Sequence, residues 1–599
     1  MFQDIYYIPK RTGTYSDVLV AYGLAALLNR IFQQVKGPHE TWRITLEDGG
    51  SHYLLRLSEP VREEWLDRLS FFRSPAYYLT RNEADPVPPD TNARDVSATR
   101  EQVRAYREQR RTLRGEGVRG SELEQWLQDL EPPRDWAVVV FAGEGRMQAA
   151  WAGGREGSYN RVVKQWVQLR PFFAETIRAI LEMFSIPDPS SETSVEIWAK
   201  IAREAGLRMA DTASQLLNPH QGKGQNQLKA NMLRMDNMSC PWPEEFLKAV
   251  GLWHCMAPRQ VMDSNDWKVY TLAPLRLSWR IHEEAFRKFN QYLWRERGQA
   301  TSLKADITSV LLFTRAWLDY VAAASRDELS VILAEADIAP ERAVAGFHVA
   351  QFKLLSRNAY TMVNLSFLNL PAWSGDLQTR ADVTSLQQVI DEHLEVIRRI
   401  DEDRSDGFDL LRRYRDFVAG NKWDAFFDFL VGYSHELMRR LNEGDRWVPM
   451  FSPSGLRRLI MASRKELLPI VQNPGFQNVA YAIRHSTVIP QSRKARGQEF
   501  LYEIRYGLGA ELKRKATVRD EFIAALSDFM HSYNRENAQV LENRKQQMRR
   551  DLRTTDIEEI VRLVDEYGSE VVANLLVAYG YAREPRDEEG NGEQGADSN

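Results

Sequence analysis

The chain has 599 residues, of which 43% are hydrophobic and 27% charged, and its net charge is −4. This composition excludes an intrinsically disordered protein, and the length predicts two to four domains. Because only two cysteines occur, a disulfide-stapled secreted scaffold is excluded, and we expect structural roles for Cys240 and Cys255 in a reducing compartment.

The N-terminal segment gives no targeting signal. It lacks a charged stretch followed by an apolar one, so no signal peptide is predicted. No run of about 18 uninterrupted apolar residues occurs, so no membrane span is predicted either. These patterns predict a cytoplasmic protein.

The first 57 residues predict an α+β unit. Residues 4–9, DIYYIP, are typical of a short buried strand. Thr14, Ser16 and Asp17 offer N-cap oxygens to the apolar run that begins VLVAYGLAALL. In TWRITLEDGGSHYLLRL, two segments in which apolar and polar residues alternate flank the sequence Asp-Gly-Gly. This pattern predicts a β-hairpin. The expected order is β-α-β-β.

The middle of the chain is predicted to be mainly helical. Residues 83–97 are rich in proline and aspartate and precede a charged helix, which indicates a surface insertion at about 83–115. Residues 136–154 are expected to form a second hairpin that rejoins the first sheet, and 359–371 another strand. Helical periodicity covers residues 160–185, 195–207, 280–297, 304–324 and 381–399.

The last third of the chain predicts a helical bundle. Apolar residues recur at helical spacing through six successive segments, which Gly, Pro or Thr-Thr-Asp interrupt. The final sixteen residues are acidic and almost without apolar side chains. The predicted domains are therefore a large body at 1–420, a basic bundle at 421–583 and a disordered acidic tail at 584–599.

Positive charge is concentrated in this bundle. Residues 451–550 contain 18 Lys and Arg against nine Asp and Glu, although the whole chain is acidic. A basic block inside an acidic protein favours a local binding site for a polyanion such as a nucleic acid. A charged helical face that only meets solvent is the alternative.

Motifs for catalysis are absent from the sequence. The chain has no P-loop, no GxGxxG after a strand and no GxSxG. His282-Glu283 and His435-Glu436 lack the second histidine, one helical turn on, that a zinc pair needs. We therefore predict no catalytic residue, no metal site and no cofactor.

Three stretches together resemble the large subunit of type I CRISPR surveillance complexes, known as Cascade. They are YSDVLVAYGLAALLNRI at 15–31, NPHQGKGQNQLKAN at 218–231, and the helical C-terminal end, which is similar to the small subunit of these complexes. The resemblance implies a non-catalytic subunit that lies near the 5′ handle of the crRNA, checks the PAM duplex, helps to open it and holds the displaced strand of the R-loop.

The same resemblance implies a set of partners. These are crRNA, target DNA, the backbone, handle-binding and small subunits of the complex, and a helicase-nuclease that is recruited on target binding. No membrane partner is implied.

The stretch at 218–231 has the residue types that a minor-groove reader needs. Glycines permit close backbone approach, a lysine supplies a mobile donor, and amides donate and accept hydrogen bonds. In relatives a glycine-containing loop, a lysine and a glutamine check the PAM, although in some they come from separate segments. The candidate PAM-loop residues are Gln221, Gly222, Lys223, Gly224, Gln225, Asn226, Lys229 and Asn231.

The basic bundle supplies the second candidate site. Arg493, Lys494 and Arg496 are expected in a loop between helices, and the other cations on helices. Such cations follow phosphates without reading bases. Tyr502, Tyr506 and Tyr533 are near enough in sequence to stack on unpaired bases, but packing in the core of the bundle is the alternative that we favour for them. The candidate backbone contacts are Arg493, Lys494, Arg496, Lys513, Arg514, Lys515, Arg519, Arg544, Lys545, Arg549 and Arg550.

Two other functional classes fit the sequence. A helical adaptor that binds protein would leave the basic face to solvent. A degenerate metal-dependent nuclease, or a relative of the palm-type polymerases, would bring together carboxylates that are scattered in the sequence.

Overall fold

The computed structural model describes most of the chain. The described residues are 2–73, 76–79, 87–118, 120–133, 135–143, 158–187, 191–207, 210–212, 216–220, 239–261, 265–296, 301–324, 339–356, 359–375, 377–544 and 549–583. They form two compact units, Met1–Ala305 with Leu312–Leu370, and Asp306–Leu311 with Pro371–Asn599. The fold is α+β with a mostly helical second half, as predicted.

The first unit contains all the strands of the described residues. The strands are β1 (Ile5–Pro9), β2 (Ile44–Asp48), β3 (His52–Leu57), β4 (Tyr77–Leu79), β5 (Ala93–Asp95), β6 (Ala210–Thr212), β7 (Ser239–Pro241), β8 (Met256–Gln260), β9 (Trp267–Pro274), β10 (Arg276–Ser278), β11 (Val344–Ser356) and β12 (Ala359–Asn369).

The helices of the first part of the chain precede, separate and follow these strands. They are α1 (Tyr15–Lys36), α2 (Glu63–Leu66), α3 (Val96–Gly115), α4 (Gly120–Leu127), α5 (Trp136–Ala142), α6 (Ser158–Gln168), α7 (Phe173–Met183), α8 (Ser191–Glu204), α9 (Trp242–Cys255), α10 (Trp279–Arg295), α11 (Ser302–Ala323) and α12 (Pro340–Ala343).

Two antiparallel sheets of four strands organise the first unit. The first has the order β1-β3-β2-β10, and its β2–β3 hairpin pairs Leu46 with Leu55. The predicted β-α-β-β opening is confirmed, and Thr14 caps α1. The second sheet has the order β12-β11-β9-β8 and confirms the strand predicted at 359–371. Its other three strands were not predicted.

Helix α1 lies at the centre of the first unit. It packs on β1, β2 and β3 and crosses α9, and only its last turns reach solvent. Its length and composition would allow it to span a membrane, but 78% of its most apolar window is buried inside the protein. Such burial is typical of a helix in the core of a protein.

Glycines allow the close crossing of α1 and α9. A Cβ on Gly23 would overlap the carbonyl oxygen of Leu247, and a Cβ on Gly251 would overlap the carbonyl oxygen of Leu19. The two glycines thus place each helix directly against the backbone of the other. Beside this contact, Cys255 is buried and its thiol donates to the carbonyl of Gly251 at 3.2 Å, so Cys255 is a packing residue.

The structure corrects the hairpin predicted at 136–154. Residues 136–142 form helix α5, and residues 144–154 lie outside the described part. The segment WAVVVFA is a continuous apolar run, which fits a buried strand or a buried helix equally well. Packing against α3 and β8 favours the helix, with Phe141 against Trp267 and Phe352.

The described part of the predicted surface insertion at 83–115 packs against the first unit through one side of helix α3. Its first part, as far as it is described, forms β5, which pairs with β4 in parallel. Helix α3 follows and buries Val103, Tyr106 and Leu113 against α4 and α5. Most other residues of β5 and α3 are exposed, and the assignment as a surface insertion stays a prediction.

The second unit is helical throughout its described part. Its helices are α13 (Arg380–Arg399), α14 (Ser405–Gly420), α15 (Trp423–Asn442), α16 (Pro453–Ser463), α17 (Leu468–Gln472), α18 (Pro474–Ser486), α19 (Val488–Ala495), α20 (Leu508–Lys515), α21 (Arg519–Arg544), α22 (Thr554–Tyr567) and α23 (Ser569–Gly580).

An aromatic cluster joins the first three helices of the second unit. The ring of Phe417 stacks on Phe426 at 4.1 Å, and His393 packs against Trp373 and Phe451. Burial lowers the pKa of His393 to about 3, so this histidine is neutral at physiological pH. The boundary predicted at 420/421 differs from the division at 370/371, because α13 and α14 pack with helices that follow Trp423.

The crossing of α1 and α9 yields a test of this packing. We expect Gly23→Ala to lower the free energy of unfolding by about 1–3 kcal/mol, because its methyl group forces the helices apart. Gly115→Ala is the matched control, since no atom lies within 4 Å of a Cβ at that position. Urea unfolding followed by circular dichroism measures both. Equal stabilities for the two variants would contradict the close contact.

Candidate nucleic-acid interface

The predicted PAM loop lies almost entirely outside the described residues. Only Asn218, Pro219 and His220 of residues 218–231 are described. The candidate residues Gln221, Gly222, Lys223, Gly224, Gln225, Asn226, Lys229 and Asn231 therefore stay predictions.

The chain that enters this loop is held by a buried polar network. Asn218 is 1% exposed, and its side-chain oxygen accepts hydrogen bonds from Lys248 at 2.7 Å and Ser16 at 3.3 Å. Its amide nitrogen donates to both carboxylate oxygens of Glu245, at 3.1 and 3.0 Å. Buried polar groups need such partners, so the network fixes the start of the loop at the N-terminal ends of α1 and α9.

The chain that leaves the loop is fixed as well. Residues 239–241 form β7, which pairs with β6 in an antiparallel ladder, and α9 begins at the next residue. Both flanks of residues 221–238 therefore belong to the ordered core of the first unit, which gives the predicted loop a defined base.

In the second unit, Arg493 and Lys494 lie in the last turn of α19, and Arg496 follows it directly. This corrects the prediction of an inter-helix loop for Arg493 and Lys494, whereas Arg496 does lie in the turn after the helix. The segment QSRKA continues the helix because Val488 and Gln491 are buried against its neighbours. All three cations remain exposed.

Two exposed aromatic rings lie beside these cations. Trp447 is 74% exposed, and the guanidinium carbon of Arg496 lies 5.3 Å from its ring centroid. Tyr506 is 45% exposed, and Lys494 Nζ donates to its hydroxyl at 3.2 Å. We call Trp447, Lys494, Arg496 and Tyr506 the basic–aromatic surface. Among the described residues, none of its cations has a carboxylate partner.

A second group of cations lies around His485. Its imidazole packs at a tilt on the Tyr481 ring, with 3.9 Å between the ring centroids, and the guanidinium carbon of Arg550 lies 4.5 Å from the Tyr481 ring. Burial, together with the positive charges of Arg484, Arg549, Arg493 and Arg550, lowers the pKa of His485 to about 4. Of these arginines, Arg493 belongs to α19.

Arg549 does not fit its predicted role as a phosphate contact. It is 4% exposed, and its guanidinium lies over the rings of Tyr502 and Tyr533 at 3.6 and 4.0 Å. It also donates to Glu536 at 2.8 Å and to the carbonyl of His485 at 3.0 Å. These contacts make it a core residue of the bundle.

The predicted basic arc from 544 to 550 is not formed. Helix α21 ends at Arg544, which pairs with Glu499, and Lys545 lies outside the described residues. Arg549 and Arg550 follow in irregular backbone, where one side chain is buried and the other exposed. The spacing that predicted one helical face therefore does not apply.

The remaining predicted cations mostly have acidic partners. Lys513 lies 3.4 Å from Asp428, Lys515 2.7 Å from Glu521, and Arg519 2.7 Å from Asp565. Arg514 is exposed on α20. Paired surface cations contribute less to a polyanion site than unpaired ones, so the basic–aromatic surface is the stronger candidate.

The three tyrosines for which core packing was favoured over base stacking have different surroundings. Tyr533 is fully buried, and its hydroxyl donates to the carbonyl of Arg550 at 2.8 Å. Tyr502 covers Arg549, and Tyr506 is the exposed one. Sequence reasoning missed Trp447, which has the most exposed large aromatic ring of the described residues and lies in RWVP, between α15 and α16.

The described residues contain no group of three or more His, Cys, Asp or Glu side chains arranged to hold a metal ion. The absence of catalysis, metal and cofactor was predicted from sequence motifs, and it stays a prediction.

The neighbouring residues Arg549 and Arg550 provide a matched test. Arg549→Ala should lower the free energy of unfolding by about 3 kcal/mol, because Glu536 loses a buried partner and two rings lose their cation. Arg550→Ala should cost less than about 1 kcal/mol, since that side chain is exposed. Urea unfolding of the full chain measures both. If Arg550→Ala lowered the free energy of unfolding more than Arg549→Ala, the assignment of Arg549 as the core residue of the pair would be wrong.

Comparison with known proteins identifies no family. No protein-family model matches the chain, and no curated protein is significantly similar to it.

Proposed function

We propose that the chain is the non-catalytic large subunit of a type I CRISPR surveillance complex in the cytoplasm. In this role the first unit contacts the PAM duplex through the loop at 218–231, and the second unit holds the displaced strand. Three kinds of support exist: the resemblance at 15–31 and 218–231, the helical second half, and the basic–aromatic surface.

The observation that carries the proposal is the pairing of Trp447 with Arg496 and of Tyr506 with Lys494. Unpaired bases stack on exposed aromatic rings, and each such contact contributes about 1–3 kcal/mol. The adjacent ammonium and guanidinium groups neutralise phosphates of the same strand. A surface with both elements and without acidic partners fits a single strand better than a duplex, whose bases are stacked on each other.

The segments on both sides of the loop are fixed by hydrogen bonds, which supports the proposed role of the loop in reading the minor groove. A loop that approaches a minor groove needs a rigid base, because displacement of a donor by about 1 Å weakens its hydrogen bonds. The network around Asn218 and the β6–β7 ladder supply that base. Lys223 and the amides of Gln221 and Gln225 then act as groove donors in this proposal.

The further partners follow from the same proposal. The chain binds crRNA and target DNA, assembles with backbone, handle-binding and small subunits, and recruits a helicase-nuclease that cuts. A helical protein-binding adaptor is the second candidate, because an exposed tryptophan also suits protein interfaces. The two candidates differ in their response to single-stranded DNA.

Binding of a fluorescent single-stranded oligonucleotide separates them. We expect the full chain to bind it at low salt and Trp447→Ala to weaken the affinity by about tenfold, because one stacked base is lost. The double variant Lys494→Glu/Arg496→Glu should make the dependence of log affinity on log salt concentration shallower, by about 0.7 for each lost phosphate contact. Fluorescence anisotropy from low to moderate salt measures both effects.

Arg519→Glu is the matched control for the charge reversal. It removes an exposed arginine of the same unit that pairs with Asp565 and Asp520, so the salt slope should stay unchanged. A chain that binds no oligonucleotide even at low salt would favour the protein-binding adaptor.

Lys223→Ala tests the PAM loop. In a complex purified through the tagged chain, we expect this variant to retain its subunits and a small RNA, but to lose at least about tenfold in affinity for duplexes with the preferred flanking sequence. Electrophoretic mobility shifts on a library with a randomised flank give the measurement. Unchanged discrimination among flanks would remove the loop from PAM recognition.

A further inference from the structure

The point at which the acidic tail leaves the second unit lies close to the basic–aromatic surface. Tyr581 and Ala582 are buried, and the backbone N–H of Arg583 donates to the carbonyl of Phe451 at 2.8 Å. Phe451 follows Trp447 by four residues, so the Cα atoms of these two residues lie no more than about 14 Å apart. The acidic tail at 584–599 therefore begins near one ring of the surface.

The connecting segment, residues 447–451, is fixed by hydrogen bonds to other helices. The hydroxyl of Tyr433 donates to the carbonyl of Pro449 at 2.7 Å. Directly after the segment, the N–H of Ser452 donates to the carboxylate of Glu392 at 2.9 Å. The exit point of the tail and the exposed tryptophan thus keep a constant spacing.

The acidic tail carries a charge opposite to that of the surface. Residues 584–599 contain six acidic residues and one basic residue, Arg586, which gives a net charge of −5. Three of the carboxylates are consecutive, at 587–589. The six residues that follow Arg583 span up to about 21 Å when extended, which exceeds the separation of about 14 Å derived above. These three carboxylates can therefore reach the surface.

The carboxylates already present around the surface do not neutralise it. Asp445 and Glu499, the described acidic residues nearest in sequence to Trp447 and Arg496, pair with Arg440 and Arg544. A third carboxylate, that of Glu503, is exposed. The exposed cations in the same stretches of chain are Arg446, Arg493, Lys494 and Arg496. Positive charge therefore exceeds negative charge here, and a further anionic segment would be attracted.

We propose that the acidic tail docks on the basic–aromatic surface of its own chain and occupies it until a nucleic acid displaces it. The carboxylates at 587–589 accept charge-assisted hydrogen bonds from Lys494 and Arg496. The tail has no aromatic or large aliphatic side chain, so it does not cover the rings of Trp447 and Tyr506. A single strand supplies bases for these rings as well as phosphates, and therefore replaces the tail.

The short connection favours this surface over a cationic partner protein, which is the other occupant that an acidic segment suits. A tethered segment has an effective concentration on the order of 1 mM. A contact with a dissociation constant of about 0.3 mM then weakens the binding of a competing ligand by about fourfold. The displacement rests on the proposed function, whereas the docking itself does not.

Neutralising the tail in the full chain tests the competition. We expect the variant Asp587→Asn/Glu588→Gln/Glu589→Gln to bind a fluorescent single-stranded oligonucleotide about fourfold more tightly than the unaltered chain at low salt, because the tail no longer occupies the surface. Fluorescence anisotropy gives the measurement.

A second triple variant is the matched control. Glu558→Gln/Glu566→Gln/Glu570→Gln changes the net charge by the same amount, at exposed positions of α22 and α23 outside the tail and the surface. Its affinity should stay close to that of the unaltered chain. Equal affinities of the two triple variants would show an effect of net charge alone, or none, and would overturn the docking.

Carbodiimide crosslinking tests the contact without any nucleic acid, since this reagent joins a lysine to a carboxylate only where the two side chains touch. In the monomeric full chain at low salt we expect links from Lys494 to residues 587–589, identified by mass spectrometry. Lys422, an exposed lysine of the same unit, should give far fewer. No link to Lys494, or equally frequent links to Lys422, would overturn the docking.

The two measurements separate this inference from the proposed function. If no variant binds the oligonucleotide, the proposed function fails, and the crosslinks alone decide whether the tail docks. If all variants bind the oligonucleotide equally well, the docking is wrong and the proposed function stands.

Discussion

The crossing of α1 and α9 is the constraint on which the first unit depends. Two backbones approach directly because Gly23 and Gly251 carry no side chain. This approach sets α1 between a four-stranded sheet and α9, and it brings Ser16 close to Asn218, Glu245 and Lys248. A wider crossing would separate these polar groups, which are too deeply buried for water to replace their hydrogen bonds.

Charge pairing decides which cations of the second unit are available to a ligand. A count of charge between 451 and 550 treats all basic residues alike, but their surroundings differ. Arg549 is enclosed by rings and by Glu536, and Arg519 pairs with Asp565. Lys494 and Arg496 instead lie against exposed rings. The exposed cations beside aromatic rings therefore lie at the end of α19, although the basic residues are spread along the sequence.

Sequence patterns predicted the elements with clear periodicity and failed where burial erased it. The β2–β3 hairpin was readable because its apolar residues alternate and a Gly-containing turn joins its strands. Strand β9 was not, because all eight of its residues are buried and give no alternation. Helix α5 was mistaken for a strand for a related reason, since a short apolar run does not specify its period.

The candidate sites show the same limit. Proximity of basic residues in sequence identified α19, but burial of Arg549 and exposure of Trp447 depend on contacts with residues dozens of positions away. Helix α3 was legible as a charged helix, but its packing against α4 and α5 depends on contacts that spacing alone cannot supply.

The separation of α1 and α9 along the chain has a consequence for biosynthesis. More than 200 residues lie between Gly23 and Gly251, so at about 5–20 residues per second a ribosome needs roughly 10 s or more to deliver the second helix after the first. During that interval the long apolar helix α1 lacks its partner, and strand β2 lacks β10 on its open edge. Slow translation before α9 would therefore lengthen the time in which these unpaired surfaces are open to aggregation.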